Sequence, residues 1–291
     1  MRHEGPGDVC PPRGEGGPEG SAGPPPPMGD DRTSSTCTPI ARNSCSNRTY
    51  TTTLQHPART ILHLEASRPE DGLIIAESAL ELVPSKIASH PAVANQASRT
   101  GKKPQEMLLD ISYHYGAMRG LQDAYRRGRP DLIHICLMSA IYTPLFIQDN
   151  LQIFVHTRDD RVIAIGKGAR LPKSYQRFVN LVEQLYQQKT IVSEGNVLLA
   201  SKQETFSDLT NRLKPKKVIG LSRIGDKSSF EGVAEALPEG GCIVVGGFPR
   251  GHFNSGTVKA MDTLLSVHDL PLEAHVVIAR SIYEIEKTSK P

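Results

Sequence analysis

The chain has 291 residues, enough for one or two domains, and its formal net charge is only +3. Its longest apolar-rich stretch, residues 132–146, is interrupted by His, Ser, Tyr and Pro and is too short to cross a bilayer, which excludes a membrane-spanning helix. A continuous apolar segment after the N-terminal Arg is missing, as is any CxxC pair among the five cysteines. These features predict a cytoplasmic protein without a signal peptide, a membrane partner or a bound metal.

Residues 1–58 differ in composition from the rest of the chain. They hold ten of the 22 prolines and eight of the 25 glycines, and large apolar residues are almost absent there. Such a segment buries too little surface to offset the entropy of ordering it, so we expect a disordered, low-complexity tail. A start at Met28 is the alternative. Five Arg against six Asp or Glu make the tail nearly neutral, so it is not a basic arm for nucleic acid. We expect one α/β domain over residues 59–291.

The predicted elements begin with a buried strand at the apolar run 73–76, followed by a helix over 78–83. Residues 92–104 are polar with Gly and Pro, which favours a loop. Apolar residues at helical spacing predict a helix over 105–126 that stops at Gly128.

Arg129, Pro130 and Asp131 come next and suit a helix start, so an apolar helix is predicted over 132–141. Two strands, 152–157 and 161–165, flank Arg-Asp-Asp and are typical of a β-hairpin. An amphipathic helix is then expected over 173–188.

Strands alternate with helices in the last third of the chain. In order these are strand 197–199, helix 204–213, strand 217–221, helix 229–236, strand 242–245, strand 264–267 and a final helix 271–287. This alternation predicts a mostly parallel sheet covered on both faces.

Loop residues adjoin three of these strand ends. The run Gly-Gly-Phe-Pro-Arg-Gly at 246–251 follows one strand, residues 221–225 end another, and residues 270–272 precede the last helix. Glycine after a parallel strand lets backbone approach a ligand at the carboxyl edge of the sheet. The three ends are therefore candidates to frame one pocket, with purely structural turns as the alternative. The glycine run is not the dinucleotide fingerprint, which requires GxGxxG leading straight into a helix.

Basic residues are concentrated between Arg119 and Arg177. This stretch holds ten Lys or Arg and five Asp, a local balance of +5. Such clustering suits a polyanion, and the planar fork of Arg can donate two hydrogen bonds to one phosphate. Solvated helix faces, and an Arg129–Asp131 pair without functional weight, are the alternatives. His134 and His156 lie in apolar patterns and are expected to be structural. No GxSxG, HExxH or P-loop motif supports hydrolysis.

Four motifs taken together resemble one family. They are Arg-Pro-Asp at 129–131 before an apolar helix, Val-His-Thr at 155–157, Arg-Leu-Pro at 170–172 with Arg-Phe at 177–178, and VGGFPRG at 245–251. They are similar to the pseudouridine-N1-specific methyltransferases of small-subunit rRNA, the nucleolar essential protein or essential-for-mitotic-growth family of the SPOUT class. The resemblance runs in order from about residue 73 to 286, and the GGFPRG form looks archaeal.

The resemblance implies an α/β SPOUT fold with a C-terminal trefoil knot and a family-specific basic insertion. The RNA-contacting segment would cover about 119–190, and the knot that binds S-adenosylmethionine about 217–287. The implied partners are small-subunit rRNA and a second copy of the chain. S-adenosylmethionine is the implied methyl donor, with no metal.

Site residues follow from the resemblance by position. Three loops, 222–225, 246–253 and 272–277, would hold the methyl donor. The cofactor-binding residues implied are Ser222, Gly225, Gly246, Gly251, His252, Phe253, Leu272, Glu273, Ala274, His275, Val276 and Val277. RNA would meet Arg129, Arg170, Lys173 and Arg177. Relatives often have Thr at the position of Ser222 and Arg at that of Lys173.

For the chemistry, Arg129 oriented by Asp131 is expected to favour the anionic base during methylation of a pseudouridine N1. Asp131 as a general base is a weaker alternative, because a neighbouring Arg should lower its pKa. Two other functions stay open: an RNA-binding assembly factor in which methylation is secondary, and methylation of another base or of ribose.

Overall fold

The computed structural model describes residues 70–193 and 195–288, so the expected N-terminal tail lies outside the described residues. Eight strands form one sheet: β1 (Asp71–Ser78), β2 (Leu151–Thr157), β3 (Arg161–Ile165), β4 (Thr190–Ser193), β5 (Asn196–Gln203), β6 (Val218–Lys227), β7 (Cys242–Gly246) and β8 (Thr263–Ser266). Their order across the sheet is β4-β5-β3-β2-β1-β7-β6-β8.

The sheet is mixed, which corrects the expectation of a mostly parallel one. Parallel pairs join β2 to β1, β1 to β7, β7 to β6 and β6 to β8. Antiparallel pairs join β2 to β3, β3 to β5 and β5 to β4. The antiparallel part of the sheet begins at the predicted hairpin of β2 and β3, because the hairpin reverses the chain direction. β5 then pairs with β3, and β4 pairs with β5.

β1 lies at the centre of the sheet because both of its faces are apolar. Leu73 and Ile75 belong to one buried cluster, while Ile74 and Ala76 belong to another on the opposite face. A continuous apolar run is the expected pattern for a strand covered on both sides. The short run 73–76 therefore predicted this strand correctly.

Nine α-helices accompany the sheet in the described part of the chain. They are α1 (Pro91–Thr100), α2 (Ile111–Met118), α3 (Pro130–Ile141), α4 (Pro144–Ile147), α5 (Tyr175–Gln188), α6 (Phe206–Leu213), α7 (Phe230–Ala236), α8 (Ser255–Lys259) and α9 (Ala274–Thr288). The predicted helices at 132–141, 173–188, 204–213, 229–236 and 271–287 correspond to α3, α5, α6, α7 and α9.

Three predictions between residues 78 and 126 are wrong. Residues 79–83 are not helical, and Leu82 instead forms an isolated β-bridge with Leu108. The expected loop 92–104 is largely α1, which starts at Pro91 and ends at Gly101 in the left-handed region. The long helix 105–126 is reduced to α2, whose start is capped by the Asp110 carboxylate. In this region tertiary packing and caps outweigh apolar spacing.

α3 connects the helical layer to the loop before α5. His134 on α3 stacks on Phe178 of α5 with ring centroids 4.5 Å apart, and its Nε2 lies 2.8 Å from the Pro172 carbonyl oxygen. α9 packs against α3 and α7 and buries Ile278, Ile282 and Ile285. The start of α3 is therefore fixed between α9 and the basic loop at 170–173. Within the described residues, no helix is long and apolar enough to span a membrane.

The fully buried His114 is expected to give the fold a pH dependence. Its Nδ1 accepts a hydrogen bond of 3.0 Å from the Asp110 backbone N–H, and its Nε2 has no partner among the described residues. Burial lowers the pKa of His114 below its ordinary value of 6.5, and this effect exceeds the opposing attraction of Asp110. The unfolded chain therefore binds a proton more readily than the folded protein at mildly acidic pH.

We expect the free energy of unfolding to fall as the pH drops from about 7 to 5, through the unfolded pKa of histidine. His114→Asn should make this loss shallower, because an amide oxygen can accept the Asp110 hydrogen bond without titrating. Urea unfolding at a series of pH values measures the slope. Equal slopes for the two proteins would show that His114 does not contribute.

Candidate functional site

The middle of β6 and the carboxyl ends of β7 and β8 open into a cavity of about 510 Å³. Its walls come from residues 221–223, 245–246, 248–253, 266–268 and 270–274, with Leu132 of α3 and Val277 of α9. Loops at this edge of a parallel sheet are the usual place for a ligand in α/β folds. All three segments singled out in the sequence line one pocket, but the strand end expected at 221 is wrong, because β6 continues to Lys227.

Nine of the twelve residues expected to bind the cofactor line this cavity. They are Ser222, Gly246, Gly251, His252, Phe253, Leu272, Glu273, Ala274 and Val277. Gly225, His275 and Val276 are not among the lining residues. A Cβ atom on Gly225 would lie 2.5 Å from the Leu264 carbonyl carbon, so this glycine permits β6 and β8 to approach closely.

The sequence prediction missed residues 266–268, which line the cavity at the end of β8 and directly after it. Strand β8 is short and only partly buried, so its end gave a weak signal. Leu132 was also missed. Leu132 lies on the first turn of α3, next to Asp131. The sequence does not show that α3 contacts the glycine loop, so it could not identify Leu132 as a cavity-lining residue.

The cavity wall combines apolar side chains with polar groups from separate loops. Ser222 Oγ lies 3.3 Å from His252 Nδ1, which joins β6 to the loop after β7. Gly251 has φ +97°, a conformation that L side chains rarely adopt. Such a cavity suits a ligand with a flat or apolar part and several hydrogen-bonding groups.

Arg129 and Asp131 form a bidentate pair at the start of α3. Arg129 Nε lies 2.8 Å from Asp131 Oδ1, and Nη2 lies 2.8 Å from Oδ2. The hydrogen bonds that Arg129 donates to Asp131 raise the pKa of Arg129, and the Glu273 carboxylate adds to this effect. Because Glu273 lines the cavity, the guanidinium lies within electrostatic reach of the cavity wall. Both side chains are partly exposed, so a ligand can approach the pair.

A second groove, of about 450 Å³, begins on the other side of Asp131. Lys173, His134 and Tyr175 also line it. The Lys173 ammonium lies 5.7 Å from the centre of the Tyr142 ring. Asp131 thus connects the start of α3, which borders the main cavity through Leu132, to the groove that holds Lys173.

Arg170 and Arg177 lie on the same stretch but outside this groove. Arg170 is exposed and lines a polar depression with Lys167, while Arg177 is exposed near the start of α5. Neither arginine, nor Lys173, forms an ion pair with any residue that the structure describes. Three cations without protein counter-charges are suited to an external polyanion.

No cluster of three or more His, Cys, Asp or Glu side chains that could hold a metal ion occurs in the described ranges. Cys136 and Cys242 are buried thiols, and burial raises the pKa of each to about 12. Neither is a nucleophile at neutral pH.

Comparison with known proteins agrees with this geometry. Residues 73–286 match a model of the family described as EMG1/NEP1 methyltransferase. A protein of Pyrococcus furiosus named ribosomal RNA small subunit methyltransferase Nep1 is 39% identical over 216 residues, which cover 74% of this chain and 95% of that protein. A protein of the same name from Pyrobaculum neutrophilum is 38% identical over 218 residues, covering 75% and 98%.

A solved structure also matches. The crystal structure of Archaeoglobus fulgidus Nep1 bound to S-adenosylhomocysteine superimposes with a TM-score of 0.68 at 30% sequence identity. The match covers 75% of this chain and 98% of that one. The α/β fold expected from the sequence is therefore confirmed.

Proposed function

The chain belongs to the EMG1/NEP1 methyltransferase family, and on this premise we propose that it methylates N1 of a pseudouridine in small-subunit rRNA, with S-adenosylmethionine as methyl donor. The proposal places the protein in small ribosomal subunit biogenesis. One observation carries it above the others: the first turn of α3 presents the Arg129–Asp131 pair and, through Leu132, a wall of the main cavity.

The main cavity fits the methyl donor in size and chemistry. A related protein in the family carries S-adenosylhomocysteine, the product left when S-adenosylmethionine has given up its methyl group. Backbone of the loop 246–253 would approach the nucleoside, and the apolar Leu132 and Val277 would pack against flat or thioether parts. Glu273 and His252 supply polar groups for the hydroxyl and amino functions.

The methyl donor supplies an electrophilic methyl group, so the protein must make the acceptor nitrogen available. N1 of pseudouridine carries a proton, and its loss to solvent water leaves negative charge on the base. Arg129, held by Asp131, is placed to stabilise that charge as it develops. Both Asp131 oxygens already accept hydrogen bonds from Arg129, which disfavours Asp131 as a general base.

The RNA would lie across the unpaired cations, with its target base splayed toward α3. Arg170, Lys173 and Arg177 would hold the flanking phosphates.

Arg170→Ala and Arg177→Ala should each weaken RNA binding severalfold and lower the slope of log K against log salt by about 0.7. The rate at saturating RNA should change little. Fluorescence anisotropy with a labelled rRNA hairpin at several salt concentrations measures both quantities. An unchanged slope would show that the arginine contacts no phosphate.

Three further features belong to the proposal: a trefoil knot at about 217–287, a homodimer and a cytoplasmic location. The crossing of the chain supports the first, because β6 precedes β7 and β8 in sequence yet lies between them in the sheet. Sedimentation of the purified protein at several concentrations tests the homodimer.

The activity is tested with purified protein, S-adenosylmethionine and matched hairpin RNAs that carry either uridine or pseudouridine at one loop position. Mass spectrometry of the digested product should show one added methyl on the base of the pseudouridine RNA alone. Methylation of both RNAs, or of ribose, would overturn the base assignment. RNA binding without any S-adenosylhomocysteine binding in calorimetry would favour an assembly factor instead.

A further inference from the structure

A buried ion pair lies behind the loop that forms one wall of the main cavity. Glu77 and Arg126 do not line that cavity; they line a smaller one of about 210 Å³. Their side chains are 5% and 10% exposed, and Arg126 Nη2 lies 2.5 Å from Glu77 Oε2. Replacing a buried ion pair with apolar groups is often neutral or stabilising, so this pair is not explained by stability alone.

Glu77 holds the end of the loop. It lies near the end of β1 with φ +52°, an uncommon conformation for a residue with a side chain. Its backbone N–H donates to His156 Nδ1 at 3.3 Å, and its Oε1 accepts a 2.7 Å hydrogen bond from the Asn254 N–H. A strained backbone persists where its surroundings determine it, and here it directs the carboxylate at the loop.

Arg126 contacts the loop near both of its ends. Its guanidinium carbon lies 4.0 Å from the centre of the Phe248 ring, and its Nη1 lies 3.5 Å from Asn254 Oδ1. Phe248 packs edge-on against Phe253 with centroids 5.6 Å apart. Both phenylalanines line the main cavity. Arg126 therefore contacts cavity-lining side chains from their far side.

We propose that Glu77 and Arg126 are positioning residues for the methyl-donor site, which fix the wall 248–253 in the shape that binds the donor. This inference rests on the proposed function, because it takes S-adenosylmethionine as the occupant of the main cavity. Neither residue touches the donor. Each acts through the loop: Glu77 through the Asn254 backbone, and Arg126 through the Phe248 ring.

The chain offers a matched control in Glu81 and Arg127. Arg127 Nε lies 2.8 Å from Glu81 Oε1 and Nη2 lies 2.6 Å from Oε2, with side chains 9% and 11% exposed. The chemistry, burial and position in the chain resemble those of the first pair. The Arg127 side chain also donates a hydrogen bond to the Gln122 carbonyl oxygen. It donates none to the loop 246–254.

The test uses the full chain, with S-adenosylhomocysteine as the probe in calorimetry. Arg126→Lys keeps the charge beside Glu77 but loses the flat contact with Phe248, and should raise the Kd about tenfold. Arg126→Met should raise it further, and KM for S-adenosylmethionine should rise more than kcat falls. Arg127→Lys and Arg127→Met should lower Tm by similar amounts but leave the Kd within about twofold of wild type.

Arg126 variants with a lowered Tm and an unchanged Kd would overturn the positioning role, and so would an equal loss of affinity in the Arg127 variants. If Arg126→Met does not fold, the Kd of Arg126→Lys still tests the positioning role. Absence of S-adenosylhomocysteine binding by the wild-type protein would contradict the proposed function itself.

Discussion

Replacing Arg129 with alanine is expected to lower the rate of methyl transfer about 100- to 1000-fold at saturating RNA. The guanidinium donates hydrogen bonds to both Asp131 oxygens, which raise its pKa, and Glu273 in the cavity wall raises the pKa further. It therefore remains charged and fixed where negative charge would develop on the base. Single-turnover kinetics with preformed enzyme–RNA complex measures the chemical step without the loss of RNA affinity that the same substitution causes.

Arg158→Ala is the matched control for Arg129→Ala. Arg158 forms a partly exposed ion pair with Asp123 at 3.0 Å, comparable in burial to the Arg129–Asp131 pair, but it does not line the main cavity. Its loss should leave the rate within about twofold of wild type, since an exposed pair contributes little. S-adenosylhomocysteine affinity should be unchanged in both variants. A wild-type rate for Arg129→Ala would remove Arg129 from the mechanism.

Gly251→Ala is expected to weaken S-adenosylhomocysteine binding about tenfold or more. Gly251 lies in the cavity wall with φ +97°, and the nearest atom to an added Cβ would be 3.7 Å away on Tyr125. Space is therefore available, and the cost is conformational. The loop would relax to a different φ and would have to recover its present shape when the donor binds. Calorimetry with S-adenosylhomocysteine measures the change.

Gly101→Ala separates this effect from glycine loss in general. Gly101 ends α1 with φ +68°, nothing lies within 4 Å of an added Cβ, and it does not line the main cavity. The substitution should cost about 1 kcal/mol of stability with no change in affinity. If both variants lose affinity equally, the loop conformation at Gly251 is not what the donor requires.

Local signals in the sequence predicted most of the elements around the site. Pro130 and Asp131 marked the start of α3, and the run 242–245 marked β7, because first-turn Pro and continuous apolar strands depend on nearby residues. Strand β4 and helices α4 and α8 were not predicted. They are short, at four to five residues each, and α8 contributes few buried side chains.

The candidate site was predicted unevenly for the same reason. The glycine loop 246–253 was found because glycine after a strand has a local meaning and because the run VGGFPRG resembles a family. Residues 266–268 and Leu132 were missed because their place in the cavity wall depends on how β8 and α3 pack. Glu77 and Arg126 belong to no sequence motif, and they are 49 positions apart in the chain before the fold pairs them.

The sequence by itself determined the family and the core strands and supplied candidates for the chemistry, because these depend on residue type and local spacing. Only the tertiary structure decided which of them meet. It joined Asp131 to the groove of Lys173, placed Arg170 and Arg177 outside that groove, and put a buried ion pair behind the glycine loop. Such contacts join residues distant in the chain, and they form only when the sheet brings its strand ends to one edge and α9 fixes α3 beside them.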